Sequence, residues 1–267
     1  MTIKLREHLF RGFFALSIAM VASSMLTLWF IGGAGIDQVR ASGLGNPDPM
    51  IFYTVLAAAC ASGLYALIVS AFLALRSGKT VSVELFFFSL WALCQAFELS
   101  RIVSVAFGTT GAGSGVYELA TRVALAGRYC GAIAVFSGSL FAVGLKQERG
   151  IPILMVTLVS ALLFASMHPL NSVGPGRDLL ADRGIAPLTS AFELALALLA
   201  AINYLIAWRA GRDRAYVWTC IGLVMCVASA TVLKTIQNPF IAAGSIPVLV
   251  VGTWLHIKSL HDFYLWR

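Results

Sequence analysis

An all-α, polytopic bundle of eight transmembrane helices is the fold class this sequence predicts, on three observations. Apolar runs of about 20 residues, long enough to cross a bilayer, recur along the whole chain. Of its 267 residues, 59% are hydrophobic and only 12% charged, with a mean hydropathy of +0.87. Soluble domains carry about twice that charged fraction. The basic residues gather in short clusters between apolar runs, where cytoplasmic turns of membrane proteins carry them. No remaining stretch is long enough for a soluble domain, so residues 1–267 read as one integral membrane domain.

The chain opens on MTIKLREHLFRG, a basic segment, followed by an apolar run from Phe13 to Ile31. That run exceeds a typical signal-peptide core and holds Trp29 and Phe30 near its end, so it predicts an uncleaved first helix. Cleavage near Ala41 is the alternative and would leave seven helices. A polar segment, Asp37 to Asp48, precedes the second run, Met50 to Leu75. The basic turn RSGK leads to the third run, Val81 to Phe107, and GTTGAGSG to the fourth, Val116 to Leu145. After KQERG, Pro152 suits the first turn of a fifth helix, where a missing N–H is harmless. That helix ends near His168-Pro169. The longest loop, Asn171 to Ala186, carries glycine, proline and mixed charge. Helix six runs from Pro187 to Trp208, and RAGRDR turns the chain into helix seven, Ala215 to Ile236. Asn238-Pro239 breaks it, and an eighth run covers Ile241 to Leu260.

Counting Lys and Arg loop by loop sets the orientation. Twelve of the nineteen fall on one side, three (Arg40, Arg177, Arg183) on the other, and Arg101, Arg122, Arg128 and Lys234 lie in the spans. The alternation predicts both termini in the cytoplasm of a bacterial-type inner (plasma) membrane, with the two longest loops outside. The net charge of +7 is thereby explained without nucleic acid. One internal echo stands out. ALRSGK at 74–79 resembles AWRAGR at 207–212, and the same offset carries Arg101 onto Lys234, as two parallel four-helix repeats would.

Several chemistries are not indicated. Cys60, Cys94, Cys130, Cys220 and Cys226 all fall within apolar runs and read as small packing residues, not as a disulfide framework or zinc site. His256 and His261 do not share a helix face, and His168 reads as interfacial. No HExxH, GxSxG, phosphate loop or metal-spaced acid cluster occurs, so no catalytic residue, metal or cofactor is implied.

What the sequence does offer is charge at membrane depth. Such groups are costly there, and they usually face a protein interior or a wet cavity and pair. In helix three Glu84, Trp91, Gln95 and Glu98 fall on one narrow stripe at about 100° per residue. Arg101 lies three residues beyond Glu98, within pairing reach. In helix four Glu118 and Arg122 are four apart, with Tyr129 on the same face and Arg128 on a neighbouring one. Glu193 and Lys234 fall in the same outer half of the bilayer, and Glu84 stands apart near the cytoplasmic end. Glu98, Arg101, Arg122 and Arg128 together predict an outward-facing polar cavity, whereas Glu118 and Lys234 taken singly read as interface residues. Three acids against four bases leave one cationic group to meet an anionic ligand.

Residues 121–145, TRVALAGRYCGAIAVFSGSLFAVGL, resemble a helix of the seven-helix membrane sensor regions at the head of bacterial histidine kinases and cyclases. The resemblance spans about one helix: a basic-aromatic-glycine start, an apolar body and a basic turn. It implies the sensor part alone, since no output domain follows the last helix, and hence a separate signalling partner. Arg128-Tyr129 and a lysine in helix seven also invite comparison with a microbial rhodopsin. Lys234 lies toward the wrong end of its helix for that, and no aspartate lies within a span.

The function expected is therefore a receptor or sensor that binds a small anionic or amphipathic ligand from outside and signals through a cytoplasmic or membrane partner. A secondary transporter using the same charges, with Glu84 as an inner station, is the alternative. A scaffold subunit of a membrane complex is the third.

Overall fold

The computed structural model describes residues 3–34, 48–76, 82–109, 114–175, 178–184, 186–211, 213–235 and 237–265. Expectations that rest on Arg40, on residues 77–79 of the RSGK turn, on residues 110–113 of the glycine-rich turn, or on Arg177, Arg212 and Arg267 lie outside them.

Among the described residues, nine α-helices build eight rods, each long and apolar enough to cross a membrane. They are α1 (Ile3–Ala34), α2 (Pro49–Arg76), α3 (Val83–Cys94), α4 (Ser100–Thr109), α5 (Ser114–Ala142), α6 (Gly150–Met167), α7 (Ala186–Gly211), α8 (Ala215–Thr235) and α9 (Pro239–Leu265). The third rod comprises α3, a 3₁₀ stretch at Gln95–Leu99, and α4. Short polar side chains set the helix starts. Asp48 accepts from the Met50 N–H at 3.0 Å, Asp213 from Ala215 at 2.9 Å and Asn238 from Phe240 at 3.0 Å. Pro49 and Pro239 follow two of these caps, at the position where a proline loses nothing. Ser82 caps α3 by accepting from Leu85.

The third rod and α5 form the core. Every residue of α3 is buried, and α5 packs on α3, α4, α6 and α7. Phe86, Phe87, Trp91 and Leu125 sit there among other large apolar side chains, none of the four more than 3% exposed. By contrast α1 is mostly uncovered and touches the bundle along one side, through Phe10 and Phe13 against Phe86. Helices α8 and α9 cross with their backbones in close approach. A Cβ on Gly222 would lie 2.7 Å from the backbone nitrogen of His256, and one on Gly252 would lie 2.9 Å from the Gly222 carbonyl oxygen. Only hydrogen at both positions lets the two backbones cross so closely.

The structure corrects two expectations. The 171–186 segment, read as a plain loop, contains an antiparallel hairpin of β1 (Leu170–Pro175) and β2 (Ala181–Arg183), with Leu170 opposite Arg183. Its strands are too short and too polar to show a period-two pattern. What holds the hairpin down is the segment before β2. Leu179 packs with Phe52, Leu99, Ile102 and Val105 despite a left-handed φ of 64°, and the Ala181 N–H donates to Thr121. The third rod, read as one uniform α-helix, tightens into 3₁₀ geometry between Cys94 and Ser100. The stripe deduced at a constant 100° per residue therefore does not run unbroken to Glu98.

Candidate functional site

The site is built where the third rod meets α5. A Cβ on Gly127 would lie 2.5 Å from the Phe97 Cβ, so the two backbones touch at this point. That contact brings the next residue of each, Arg128 and Glu98, side by side. Arg128 grips the Glu98 carboxylate in two-point fashion, Nε to Oε1 at 2.7 Å and Nη2 to Oε2 at 3.0 Å. Arg101, one turn on in the same rod, reaches Oε2 at 2.6 Å. Glu98 and Arg101 are 2% and 1% exposed, and Arg128 is 7%. Two guanidinium groups on one carboxylate leave this buried trio with a surplus positive charge. Arg101 spends a further donor on the Lys234 carbonyl oxygen at 3.1 Å, one of the acceptors that the end of α8 leaves without an intrahelical partner. The two positions linked by the internal echo thus meet directly.

Above the trio, at the end of the bundle that carries the hairpin, lies a cavity of about 420 Å³. Arg128, Glu193 and Lys234 form its floor, and Asp178, Asp182 and Arg183 come from the hairpin. The hydroxyl-bearing residues Thr189, Ser190, Thr231 and Thr235, with the amide of Gln237, complete the polar lining. Lys234 and Glu193 face each other at 3.6 Å, a longer separation than any of the arginine pairs. Arg183 pairs with Asp178. A smaller chamber of about 20 Å³ continues below, between Trp91 and the same Arg128, Glu193 and Lys234.

The expected residues thus separate. Glu98, Arg101, Arg128, Glu193 and Lys234 come together, with Trp91 beneath them. Lys234, read as an interface residue, lines the cavity. Arg122, expected within it, stands apart. It pairs with Glu118 at 2.7 Å on the half-exposed flank of α5 and donates to the Ala165 and Ser166 carbonyl oxygens at the end of α6. Gln95 turns back to the Trp91 carbonyl oxygen at 3.3 Å. Tyr129 lies behind the cavity wall, bonded to Thr189 at 3.3 Å and to His168 Nδ1 at 3.1 Å. Glu84 is buried toward the opposite end of α3.

Sequence reasoning missed the hairpin's part. Asp178, Asp182 and Arg183 bring the cavity lining to three acids and three bases, so its walls are balanced rather than cationic. The signal is the mixed-charge run RDLLADR within the longest loop, which has no periodicity to place it against the helices. His168, read as interfacial, is buried at the foot of the hairpin. Burial, with Arg183 and Arg122 nearby, holds its imidazole below the ordinary range. Among the described residues no group of His, Cys, Asp and Glu is arranged to hold a metal ion.

No family model, curated protein or solved structure matches the chain. The class is thus defined by fold and site alone: a bundle of eight bilayer-length helices with a carboxylate clamped by two arginines beneath a polar cavity.

Proposed function

We propose that this chain is a multi-pass inner-membrane receptor that senses a small polar ligand from the outer side and signals through a partner. The observation that carries the reading is the 420 Å³ cavity floored by Arg128, Glu193 and Lys234, with charged residues from both the helices and the hairpin. A set of charges this deep is expensive to maintain and marks a site by default. Its balanced lining favours a ligand with an anionic group and a hydrogen-bond donor over a simple anion. The long Lys234–Glu193 pair is the one such a ligand opens most easily, the anion meeting the ammonium and the donor meeting the carboxylate. The twelve-to-three distribution of basic residues supports the orientation, with both termini and the basic turns inside.

A route for the signal runs through the 3₁₀ stretch. Mid-helix 3₁₀ geometry often marks a hinge. Here it carries Glu98, and Glu98 is tied to Arg128 in the cavity floor. Drawing Arg128 toward a ligand loosens its hold on Glu98. Relaxation of Gln95–Leu99 toward α-geometry then turns α3 relative to α4, and α3 leads to the cytoplasmic end. The turns there are too short to act alone, which is why a partner is required. Transport is the second reading, favoured by Glu84, a carboxylate 1% exposed in the opposite half of the bundle.

The test is a thermal-shift screen of the full chain in lipid nanodiscs against small carboxylates, phosphates and zwitterions. A stabilising compound whose effect disappears in Lys234→Gln supports the receptor reading. Counterflow of that compound in proteoliposomes would replace it with transport. No stabilising compound of any of these classes would remove the binding site.

A further inference from the structure

A second recess runs along the flank of the bundle between α2 and α9, from Leu233 and Ile246 to Arg76 and Asp262. It is a groove of about 730 Å³. Leu64, Ile68 and Phe72 form one wall, and Val250, Trp254 and Ile257 the other. The mid-depth hydroxyls of Tyr65 and Thr253 bond to each other at 2.8 Å, so the groove stays apolar along its length. Its charges are confined to one end. Arg76 and Lys258 gather there with one acid, Asp262, and the His261 ring lies at the same end. The two long cations are braced on the groove's own aromatic rings, the Arg76 guanidinium 4.6 Å above Phe72 and the Lys258 ammonium 4.7 Å above Trp254.

We infer that this groove is a binding site for an anionic phospholipid of the cytoplasmic leaflet. An apolar channel with cations at one end matches an acyl chain ending in a phosphate. Basic pockets between membrane helices on the cytoplasmic side take anionic headgroups for this reason. The walls argue against a second helix as the occupant. Helices pack in membranes by way of small residues that admit a neighbouring backbone, and this groove is walled by branched and aromatic side chains. Flexible acyl chains fill such a surface and a rigid helix does not. The site is separate from the hairpin-end cavity, and it rests on the proposed membrane residence and orientation, which place its charged end at the cytoplasmic face. Lipid bound here wedges α2 against α9, and α9 packs on α8, which carries Lys234.

The experiment is native mass spectrometry of the full chain released from micelles containing equal amounts of phosphatidylglycerol and phosphatidylcholine with the same acyl chains. Phosphatidylglycerol should be retained in preference. That preference should fall by roughly fivefold for each cation removed in Arg76→Gln and Lys258→Gln. Ile68→Trp, which fills the groove, should lower retention of both lipids. Lys258 is exposed, so Lys258→Gln alone gives a folded comparison if the double variant is lost. Equal retention of the two lipids, or an unchanged preference in Lys258→Gln, overturns the assignment. So does displacement by millimolar inorganic phosphate, which would make it a simple anion site. A change of oligomeric state in Ile68→Trp would give the groove to a protein helix instead.

Discussion

At the scale of single residues, the charges divide by what each would leave behind if its partner were removed. Glu98 is the only acid in its trio, so Glu98→Gln strands Arg101 and Arg128 in the core. Removing one partner of a buried charge group is destabilising by about 3–5 kcal/mol, because the remaining charge stays uncompensated. Thermal unfolding in detergent should show a loss of that size, or no folded protein. Glu118 is 48% exposed, so Glu118→Gln in the same assay should change stability by no more than about 0.5 kcal/mol. Equal effects would mean that the trio is not the structural keystone its geometry implies. Lys234→Gln should fall between the two in stability while removing ligand stabilisation, because its pair with Glu193 is long and borders the cavity.

His168 gives a pH signature at the same scale. Its folded-state imidazole binds a proton less readily than the unfolded one, chiefly through burial and secondarily through Arg183 and Arg122. The unfolded state therefore binds more protons on acidification. The stability contributed by neutral His168 is complete above the ordinary imidazole value of about 6.5 and is lost as pH falls below it. Melting temperatures at pH 7.5 and pH 5 should differ by more in the parent protein than in His168→Asn. An identical pH dependence in the two would mean that His168 is not the titrating group.

At the scale of elements, close approach of backbones decides geometry. Gly222 on α8 sits against the backbone of His256 on α9, which cannot shift as a flexible side chain would. Gly222→Ala should force the helices apart and destabilise the bundle by about 1–3 kcal/mol, the usual result of overpacking. Gly12 on α1 has open space where a methyl group would sit, with nothing within 4 Å, so Gly12→Ala should be neutral or slightly stabilising. A matched pair of melting curves would check both. Gly127 has a different importance, because its contact with Phe97 sets the distance from Arg128 to Glu98. Gly127→Ala should therefore weaken ligand stabilisation as well as the fold.

At the scale of the whole molecule, the arrangement is a buried centre with more exposed helices around it. The third rod and α5 are locked by aromatic packing and by the charged trio, whereas α1 is attached along one side and α8–α9 form a tightly crossed pair. The proposed orientation makes a direct prediction. In intact bacterial cells a membrane-impermeant thiol reagent should modify Arg40→Cys and spare Lys79→Cys, with the reverse in inverted vesicles. Labelling of both from one side would contradict eight spans with internal termini.

The sequence alone determined the number of rods, their near-boundaries and which charges fall within them. Those follow from local quantities: the length of an apolar run, a capping Asp or Asn beside a proline, the spacing of Glu98 and Arg101 along one rod. The tertiary structure alone decided which charges meet. Arg122 and Arg128 sit in the same helix six residues apart, about 120° around it, and only the packing shows which of those two faces meets the third rod, at Gly127, Gly131 and Gly138. The same holds for the hairpin, whose two short polar strands carry no periodic signal and are fixed by Leu179 and Thr121. A cavity made by side chains from four separate segments depends on distances between rods, and no single stretch of sequence encodes those.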